Sequence, residues 1–175
     1  MKLKVAVLFG GESVEHEISI ISGNQAMKVL DKCKYEVIPI YISKDKDFYV
    51  GEQLFDLKNY SDLNSLISKL TKVVLVKEDN KVKIEPMKKG LFTKTINTID
   101  VVIPVTHGTS VEDGTLQGYL ETLKLPYSSS DVIASAVGQD KVVMKCVLEH
   151  AGIKMTDWFW IYGFELEDKK EEIKE

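Results

Sequence analysis

Three acidic side chains follow the first apolar run of the sequence, and their grouping indicates a cation site. Glu12, Glu15 and Glu17 lie in the segment G-G-E-S-V-E-H-E that starts at Gly10. These carboxylates would repel a phosphate group, and neither common phosphate-loop pattern, G-x-G-x-x-G or G-x-x-x-x-G-K-[ST], is present. The ammonium group of an amino acid could bind beside Glu15, with the Ser19 hydroxyl nearby. Alternatively, the acids only complement a helix dipole, each contributing about 0.3–1 kcal/mol.

A second polar segment follows a later apolar run and contains the histidine best placed for chemistry. This segment is T-H-G-T-S-V-E-D-G, from Thr106 to Gly114. His107 could donate a hydrogen bond to a substrate carboxylate or lie beside Glu112. The alternative is a turn in which these side chains satisfy backbone groups. His16 is not assigned to the site.

A pair of lysines could contact phosphate oxygens from the edge of a helix. Lys141 follows Asp140 at a predicted helix start, and Lys145 lies four residues further along. Lysine binds phosphate as a point charge, although lysines at this spacing also occur on ordinary solvated helix edges. The sequence alone leaves both interpretations open.

The elements around these segments alternate in the order typical of an α/β protein with a parallel sheet. Residues 4–9 form an uninterrupted apolar run, which indicates a strand buried on both faces. A helix follows, with Ser13 as its predicted N-cap, and its predicted apolar face contains Ile18, Ile21, Ala26, Val29 and Leu30. Residues 35–42 and 100–105 are predicted as further strands, and residues 125–127 as a short one. Ligands bind at the carboxyl ends of such strands, so both polar segments should meet at one edge.

The remaining segments predict an elaboration in the middle of the chain and a second domain at its end. Residues 43–98 are rich in lysine and include a predicted hairpin, 73–77 with 81–85. Helices are predicted at 63–70, 115–124, 131–137 and 140–151, with Gly152 ending the last one. An aromatic strand, Trp158 to Tyr162, and a highly charged helix from Glu165 come after it. We therefore divide the chain into a domain at 1–137, a connecting helix at 138–152 and the start of a truncated domain at 153–175.

Composition excludes several classes of protein. The 175 residues are 44% hydrophobic and 29% charged, as in a globular domain rather than a fibrous or disordered chain. The net charge is −4, and all 23 basic residues are lysine, with no basic stripe that would bind nucleic acid. No membrane span, signal peptide or zinc-binding cysteine spacing is recognisable. We expect a cytoplasmic protein without a metal site of its own, and two buried cysteines, Cys33 and Cys146.

Taken together, the motifs resemble the N-terminal part of the D-alanine:D-alanine ligases, which are ATP-grasp enzymes. The resemblance covers nearly the whole chain and is carried by motifs in the family's order and spacing: G-G-x-S-x-E-H-E-x-S (10–19), H-G-x-x-x-E-D-G-x-L-Q-G (107–118), P-Y (126–127), A-S-A (134–136) and D-K (140–141). It implies a three-layer, Rossmann-like (pre-ATP-grasp) α/β domain with a mainly parallel sheet.

The resemblance also implies an activity and roles for individual residues. The enzyme would phosphorylate the carboxylate of one D-alanine with ATP and Mg²⁺, and the amine of a second D-alanine would attack the acyl phosphate to give the peptidoglycan dipeptide. Glu15 matches the acid that binds the first ammonium group, and Ser19, His107 and Glu112 match its neighbours in the first subsite. Lys141 matches a lysine that reaches toward ATP. A homodimer is implied as well.

Several alternatives stay open at this stage. The middle segment resembles the longer-loop family members, so the second substrate could be D-lactate or D-serine, and a non-catalytic amino-acid-binding module of the same fold is a further possibility. The family's magnesium ligands, transition-state arginine and ATP lid would belong to sequence after Glu175, so we expect no tightly bound cofactor and no activity for this chain alone. Val111 replaces a usual glycine, which predicts a different path for the His107 loop because β-branched residues avoid positive φ.

Overall fold

The computed structural model describes residues 2–88 and 94–170, and the chain forms two compact units. The units divide between Ala136 and Val137. The first unit contains one sheet and the two polar segments singled out above, whereas the second contains the lysine pair. The described residues include no helix long and apolar enough to cross a membrane.

Seven strands form the sheet of the first unit. Their spatial order is β6-β5-β4-β3-β2-β1-β7. Their bounds are β1 Leu3–Gly10, β2 Tyr35–Ile42, β3 Phe48–Val50, β4 Thr71–Glu78, β5 Lys81–Pro86, β6 Asn97–Ile99 and β7 Val101–Pro104.

The strands that carry the candidate site are parallel, as the sequence predicts. β1 lies between β2 and β7 and pairs in parallel with both, with Leu8 opposite Ile40 and Pro104. Residues 5–10 are buried without alternation, because helices cover both faces of this part of the sheet. The carboxyl ends of β1 and β7 therefore meet at one edge. The predicted strand at 125–127 is reduced to a single parallel bridge between Val102 and Tyr127.

The α/β class is confirmed, but the sheet is mixed rather than mainly parallel. Two strand pairings are parallel, whereas β2–β3, β3–β4, β4–β5 and β5–β6 are antiparallel. The predicted hairpin is present as β4 and β5, with its turn at Asp79 and Asn80, which both have positive φ. Short connections favour antiparallel neighbours, and the sheet edge beside β2 was available to them. The middle segment therefore extends the sheet instead of lying outside it.

Helices on both faces of the sheet give the predicted three layers. The first unit contains α1 His16–Val29, α2 Leu63–Ser68, α3 Thr115–Thr122 and the start of α4 Val132–Gln139, with short 3₁₀ turns at Glu52–Phe55 and Leu57–Ser61. The second unit contains the end of α4, α5 Lys141–His150 and a 3₁₀ turn at Gly163–Glu165. Val7 and Phe9 of β1 pack with residues of α1 and α2 on one face. Ala6 and Leu8 pack with residues of α3 on the other. This alternation builds two apolar cores around β1.

The prediction of the apolar face of α1 is wrong for three of its five residues. Ile18, Ile21 and Val29 are exposed, although Ala26 and Leu30 do pack against the core. The helix instead turns toward the sheet a face of small and polar residues interrupted by two apolar ones, namely His16, Ser19, Ile20, Gly23, Asn24 and Met27. The cause is close approach to β1, because a Cβ atom on Gly23 would lie 2.6 Å from Cβ and Cγ of Phe9. Bulky side chains do not fit between these elements.

The second unit differs from its sequence prediction after α5. The Asp140 carboxylate caps α5 by accepting hydrogen bonds from the backbone of Val142 and Val143, and Gly152 ends the helix with φ +76°. The aromatic segment Trp158 to Tyr162 is not a strand, since within the described residues it has no neighbouring strand to pair with. The charged helix predicted from Glu165 is a 3₁₀ turn followed by turns to residue 170, and residues 171–175 lie outside the described residues. Both cysteines are exposed, contrary to expectation.

Candidate functional site

Two loops meet at the carboxyl edge of the sheet and bring the predicted site residues together. One loop, residues 11–15, joins β1 to α1, and the other, residues 105–114, joins β7 to α3. They approach at Gly108, where an added Cβ atom would lie 2.7 Å from Cβ of Ser13 and 3.7 Å from Oε2 of Glu15. Gly108 also has φ +80°, so both space and backbone conformation require glycine. The Glu15 carboxylate therefore lies against the His107 loop.

The three acids, Glu12 and Glu15 in the first loop and Glu17 in the first turn of α1, differ in their partners. Lys46 Nζ lies 2.8 Å from Glu12 Oε2, and Lys44 Nζ lies 3.1 Å from Glu17 Oε1. The hydrogen bond from Lys44 lowers the pKa of Glu17 below its ordinary value. Glu15 is exposed and occupies the N-cap position of α1, yet its carboxylate makes no capping hydrogen bond. Within the described residues the Glu15 carboxylate has no ion-pair or hydrogen-bond partner.

This pattern argues against a purely helix-stabilising role for Glu15. A carboxylate that served the helix start would accept hydrogen bonds from the first backbone N–H groups. The predicted N-cap, Ser13, lies two residues before the observed N-cap, and its hydroxyl accepts from the Glu15 backbone N–H at 3.0 Å. The Glu15 carboxylate is left available to bind a cation from solvent.

Ser19 lies beneath the edge rather than on its surface. It is fully buried, its hydroxyl donates to the Val105 carbonyl at 2.6 Å, and it accepts from the Gly10 N–H at 2.7 Å. The hydroxyl therefore ties the carboxyl end of β1 to the residue after β7. The Ser19 hydroxyl has already donated its one proton, so it has none left to donate to a substrate. The substrate contact predicted for Ser19 stays a prediction.

His107 and Glu112 lie together, as the sequence allowed. His107 Nδ1 is 3.7 Å from Glu112 Oε1, and the other carboxylate oxygen accepts from the Gly108 N–H at 2.8 Å. The other ring nitrogen of His107, Nε2, is buried and has no hydrogen-bond partner in the part of the chain that the structure describes. Buried polar atoms are normally satisfied, so this nitrogen is a candidate for a ligand contact.

The His107 loop holds its shape through Asp113 and positive φ angles at defined positions. Asp113 accepts from Ser110 N at 2.8 Å and from Thr115 N at 3.0 Å. Burial opposes ionisation of Asp113, but hydrogen bonds from Thr115 and Ser110 outweigh it and lower the pKa of this carboxyl. Positive φ occurs at Gly108, Ser110 and Gly114 but not at Val111, so the β-branched residue adopts an ordinary backbone conformation, and a loop path different from that of the family stays a prediction. Val111 is instead a core residue, 5% exposed.

His16 is the part of the site that the sequence analysis missed. It is fully buried, with Nδ1 2.5 Å from the Gly11 carbonyl oxygen and Nε2 3.1 Å from the Tyr41 hydroxyl. A carbonyl only accepts, so Nδ1 carries the proton, and Nε2 of the neutral ring accepts from Tyr41. Burial raises the pKa of Tyr41 to about 12, which keeps this donor protonated. The helical spacing of His16, Ile20, Gly23 and Met27 was the signal that could have revealed this buried face.

The second unit contains the remaining predicted residue, Lys141. It is exposed and forms the first residue of α5, directly after the capping Asp140. Lys145, on the same helix, has its ammonium group 5.4 Å from the ring centre of Trp158. The described residues contain no cluster of three or more His, Cys, Asp or Glu side chains that could hold a metal ion.

Comparisons with known proteins show the family to which the chain belongs. Residues 4–130 match the family described as D-ala D-ala ligase N-terminus. The chain is 40% identical to the D-alanine--D-alanine ligase of Thermosipho melanesiensis over 156 residues, which cover 89% of the chain and 42% of that protein.

Solved structures show the same likeness. The D-alanine-D-alanine ligase of Coxiella burnetii is 36% identical with a TM-score of 0.74, over 90% of this chain and 43% of that one. The VanG D-Ala:D-Ser ligase of Enterococcus faecalis is 28% identical with a TM-score of 0.77, over 99% of this chain and 49% of that one. This chain thus spans less than half the length of these relatives. It belongs to the D-alanine--D-alanine ligase family and corresponds to the N-terminal part of its members.

Proposed function

We propose that this chain is the N-terminal, substrate-binding domain of an ATP-dependent ligase that joins two molecules of D-alanine. The observation that carries the proposal is the exposed Glu15 carboxylate, the one of the three edge acids for which no partner is found in the described residues. A partnerless carboxylate beside a second polar loop is suited to the ammonium group of an amino acid. A charge-assisted bond of this kind contributes roughly 1.5–3 kcal/mol.

The other residues of the edge fit roles around the same ligand. His107 Nε2, buried and unsatisfied within the described residues, can donate a hydrogen bond to the substrate carboxylate when this nitrogen carries a proton. Glu112 accepts from Gly108 and faces Nδ1 of His107, and so holds the ring in place. Ser19 fixes the two strand ends from which both loops start, so we assign it a positioning role in addition to the predicted subsite contact.

The proposed reaction proceeds through an acyl phosphate. One D-alanine carboxylate oxygen attacks the γ-phosphorus of ATP and releases ADP. The neutral amine of the second D-alanine then attacks the acyl carbon, phosphate leaves with the bonding electron pair, and the nitrogen loses one proton to solvent as the peptide bond forms. When bound, ATP would supply the transferred phosphoryl group, and magnesium would neutralise the negative charge on it. In this chain, we propose Lys141 as the residue that reaches toward the nucleotide. The product would serve peptidoglycan synthesis in the cytoplasm.

A ligase that uses D-serine as the second substrate is a second candidate. The likeness to the VanG D-Ala:D-Ser ligase, with a TM-score of 0.77 over 99% of this chain, keeps it as an alternative, although relatives named D-alanine--D-alanine ligase share more of this sequence. The two candidates share the first D-alanine, so the Glu15 assignment is common to both. They differ only in which amine attacks the acyl phosphate.

Phosphate release by a full-length ligase that contains this chain tests the proposal. With ATP, Mg²⁺ and D-alanine we expect phosphate and dipeptide, and D-serine in place of the second D-alanine should give less product. The chain alone should release no phosphate above a blank without protein. An inactive full-length protein that still binds D-alanine would favour the non-catalytic module.

A further inference from the structure

We propose that two lysines in the turn between β2 and β3 determine which cations the Glu15 site accepts. Lys44 and Lys46 pair with the acids on either side of Glu15 in the sequence. The proposal rests on the proposed function, because it takes Glu15 as the ligand of an ammonium group. It adds a specificity device that lies outside both loops of the site.

The turn that carries the lysines is held in a defined conformation. Ser43 N donates to the Asp47 carbonyl at 2.9 Å, Lys46 N donates to the Ser43 carbonyl at 3.0 Å, and the Ser43 hydroxyl accepts from Asp47 N at 3.2 Å. Ser43 is 6% exposed, and Lys46 has φ +64°. The Asp47 carboxylate also lies 2.5 Å from the ammonium group of Lys72 in β4. The turn is thus tied to its own strands and to the next one.

From this turn, each lysine reaches a different part of the edge. Lys44 pairs with Glu17 in the first turn of α1. Lys46 pairs with Glu12 in the first loop and also donates to the Ser110 hydroxyl, at 3.4 Å, in the His107 loop. One ammonium group therefore contacts both of the loops that form the candidate site.

The charges of these residues nearly cancel. On the β1–α1 side of the edge, Glu12, Glu15 and Glu17 bring three negative charges and Lys44 and Lys46 bring two positive ones, which leaves one negative charge on Glu15; on the other side, Glu112 already accepts from the Gly108 N–H and lies beside His107. One unpaired carboxylate matches one ammonium group. Three unpaired carboxylates would instead attract a divalent cation, which takes several oxygen ligands. The lysines therefore favour an amino acid over a metal ion.

The two ion pairs are too exposed to serve mainly as stabilising contacts. The lysine side chains are each 58% exposed, and their glutamate partners are 62% and 55% exposed. Pairs of this kind usually contribute less than about 1 kcal/mol to the free energy of unfolding. Removing them should therefore change the charge of the site while leaving the fold intact.

The test uses Mn²⁺ as a paramagnetic probe of the whole chain in NMR spectra. The variant Lys44→Met/Lys46→Met should show broadening of the amide signals of residues 12–17 at an Mn²⁺ concentration at least about fivefold lower than wild type requires, because two compensating charges are lost. The control Lys32→Met/Lys34→Met removes the same charge from a turn at the other end of α1, where Lys34 pairs with Asp31 at 3.5 Å. It should behave like wild type.

Two results would overturn the proposal. One is equal broadening of residues 12–17 in wild type and the Lys44/Lys46 variant, and the other is no broadening of these signals in either protein. Neither outcome depends on D-alanine. If the variant and wild type differ in Mn²⁺ broadening as expected but the wild-type chain does not respond to D-alanine, the proposed function is rejected. The charge compensation by the two lysines is then still supported.

Discussion

Glu15 is the residue on which the proposed chemistry depends most. In a full-length ligase that contains this chain, Glu15→Gln should raise KM for the first D-alanine about 10- to 150-fold, because a charge-assisted bond to the ammonium group of roughly 1.5–3 kcal/mol is lost. KM for ATP should change little. Steady-state kinetics with each substrate varied in turn measures both constants.

Glu17→Gln is the matched control for this prediction. Glu17 lies two residues further on, but its carboxylate is held by Lys44. Its replacement should therefore affect KM for D-alanine much less than that of Glu15. If Glu15→Gln changed both Michaelis constants equally, Glu15 would have a structural role instead.

His16 should be required for the fold of the first loop. His16→Ala removes a fully buried ring and leaves both of its partners, the Gly11 carbonyl and the Tyr41 hydroxyl, unsatisfied. We expect a loss of about 2–4 kcal/mol in the free energy of unfolding, measured by urea denaturation. Tyr41→Phe, which removes one of the two bonds, should cost less. A His16→Ala variant as stable as wild type would contradict this account of the loop.

The contrast between Glu15 and His16 explains what the sequence could predict about individual residues. Charge and position after a buried strand were enough to select the group of three acids and the His107 loop. Partners were not predictable, because Lys44 and Lys46 come from a turn some thirty residues away in sequence. The burial of His16 and Ser19 was missed for a related reason, since polar residues on a helix carry no sign of the strand they face.

The packing of α1 on β1 gives a prediction about an element rather than a side chain. Gly23→Ala should destabilise the protein by about 1–3 kcal/mol, because the new Cβ atom would overlap Phe9 in a close-packed contact. Gly118→Ala, within α3, has open space around the new Cβ atom and should stabilise by up to about 1 kcal/mol. Thermal denaturation of both variants shows whether each substitution lowers or raises the stability of the protein. Shifts in the same direction would contradict the described contact.

Most elements of the first unit could be predicted from hydrophobic pattern, and the exceptions have a physical cause. Continuous apolar runs identified β1, β2 and β7, and alternation around Asp79 and Asn80 identified the hairpin. The face of α1 was assigned incorrectly because its exposed isoleucines outweighed Gly23 in the pattern. The aromatic segment was assigned to a strand because propensity describes the residues, whereas a strand also needs a neighbour.

The homodimer implied by the family resemblance gives a prediction about the molecule as a whole. We expect a chain that ends at Gly152 to remain a dimer in light scattering, because association is predicted to use the first unit. The alternative source is the second unit, where Phe159 and Phe164 are 67% and 82% exposed. A monomeric shortened chain would show that the aromatic segment causes association.

The central claim, that the edge around Glu15 binds D-alanine, is tested most directly by NMR titration of the isotopically labelled chain. D-Alanine should produce saturable shifts in the amide signals of residues 11–17 and 106–114. The same titration of Glu15→Gln should give shifts only at much higher concentrations. The absence of shifts in wild type, or the same saturation curve in both proteins, would contradict the account.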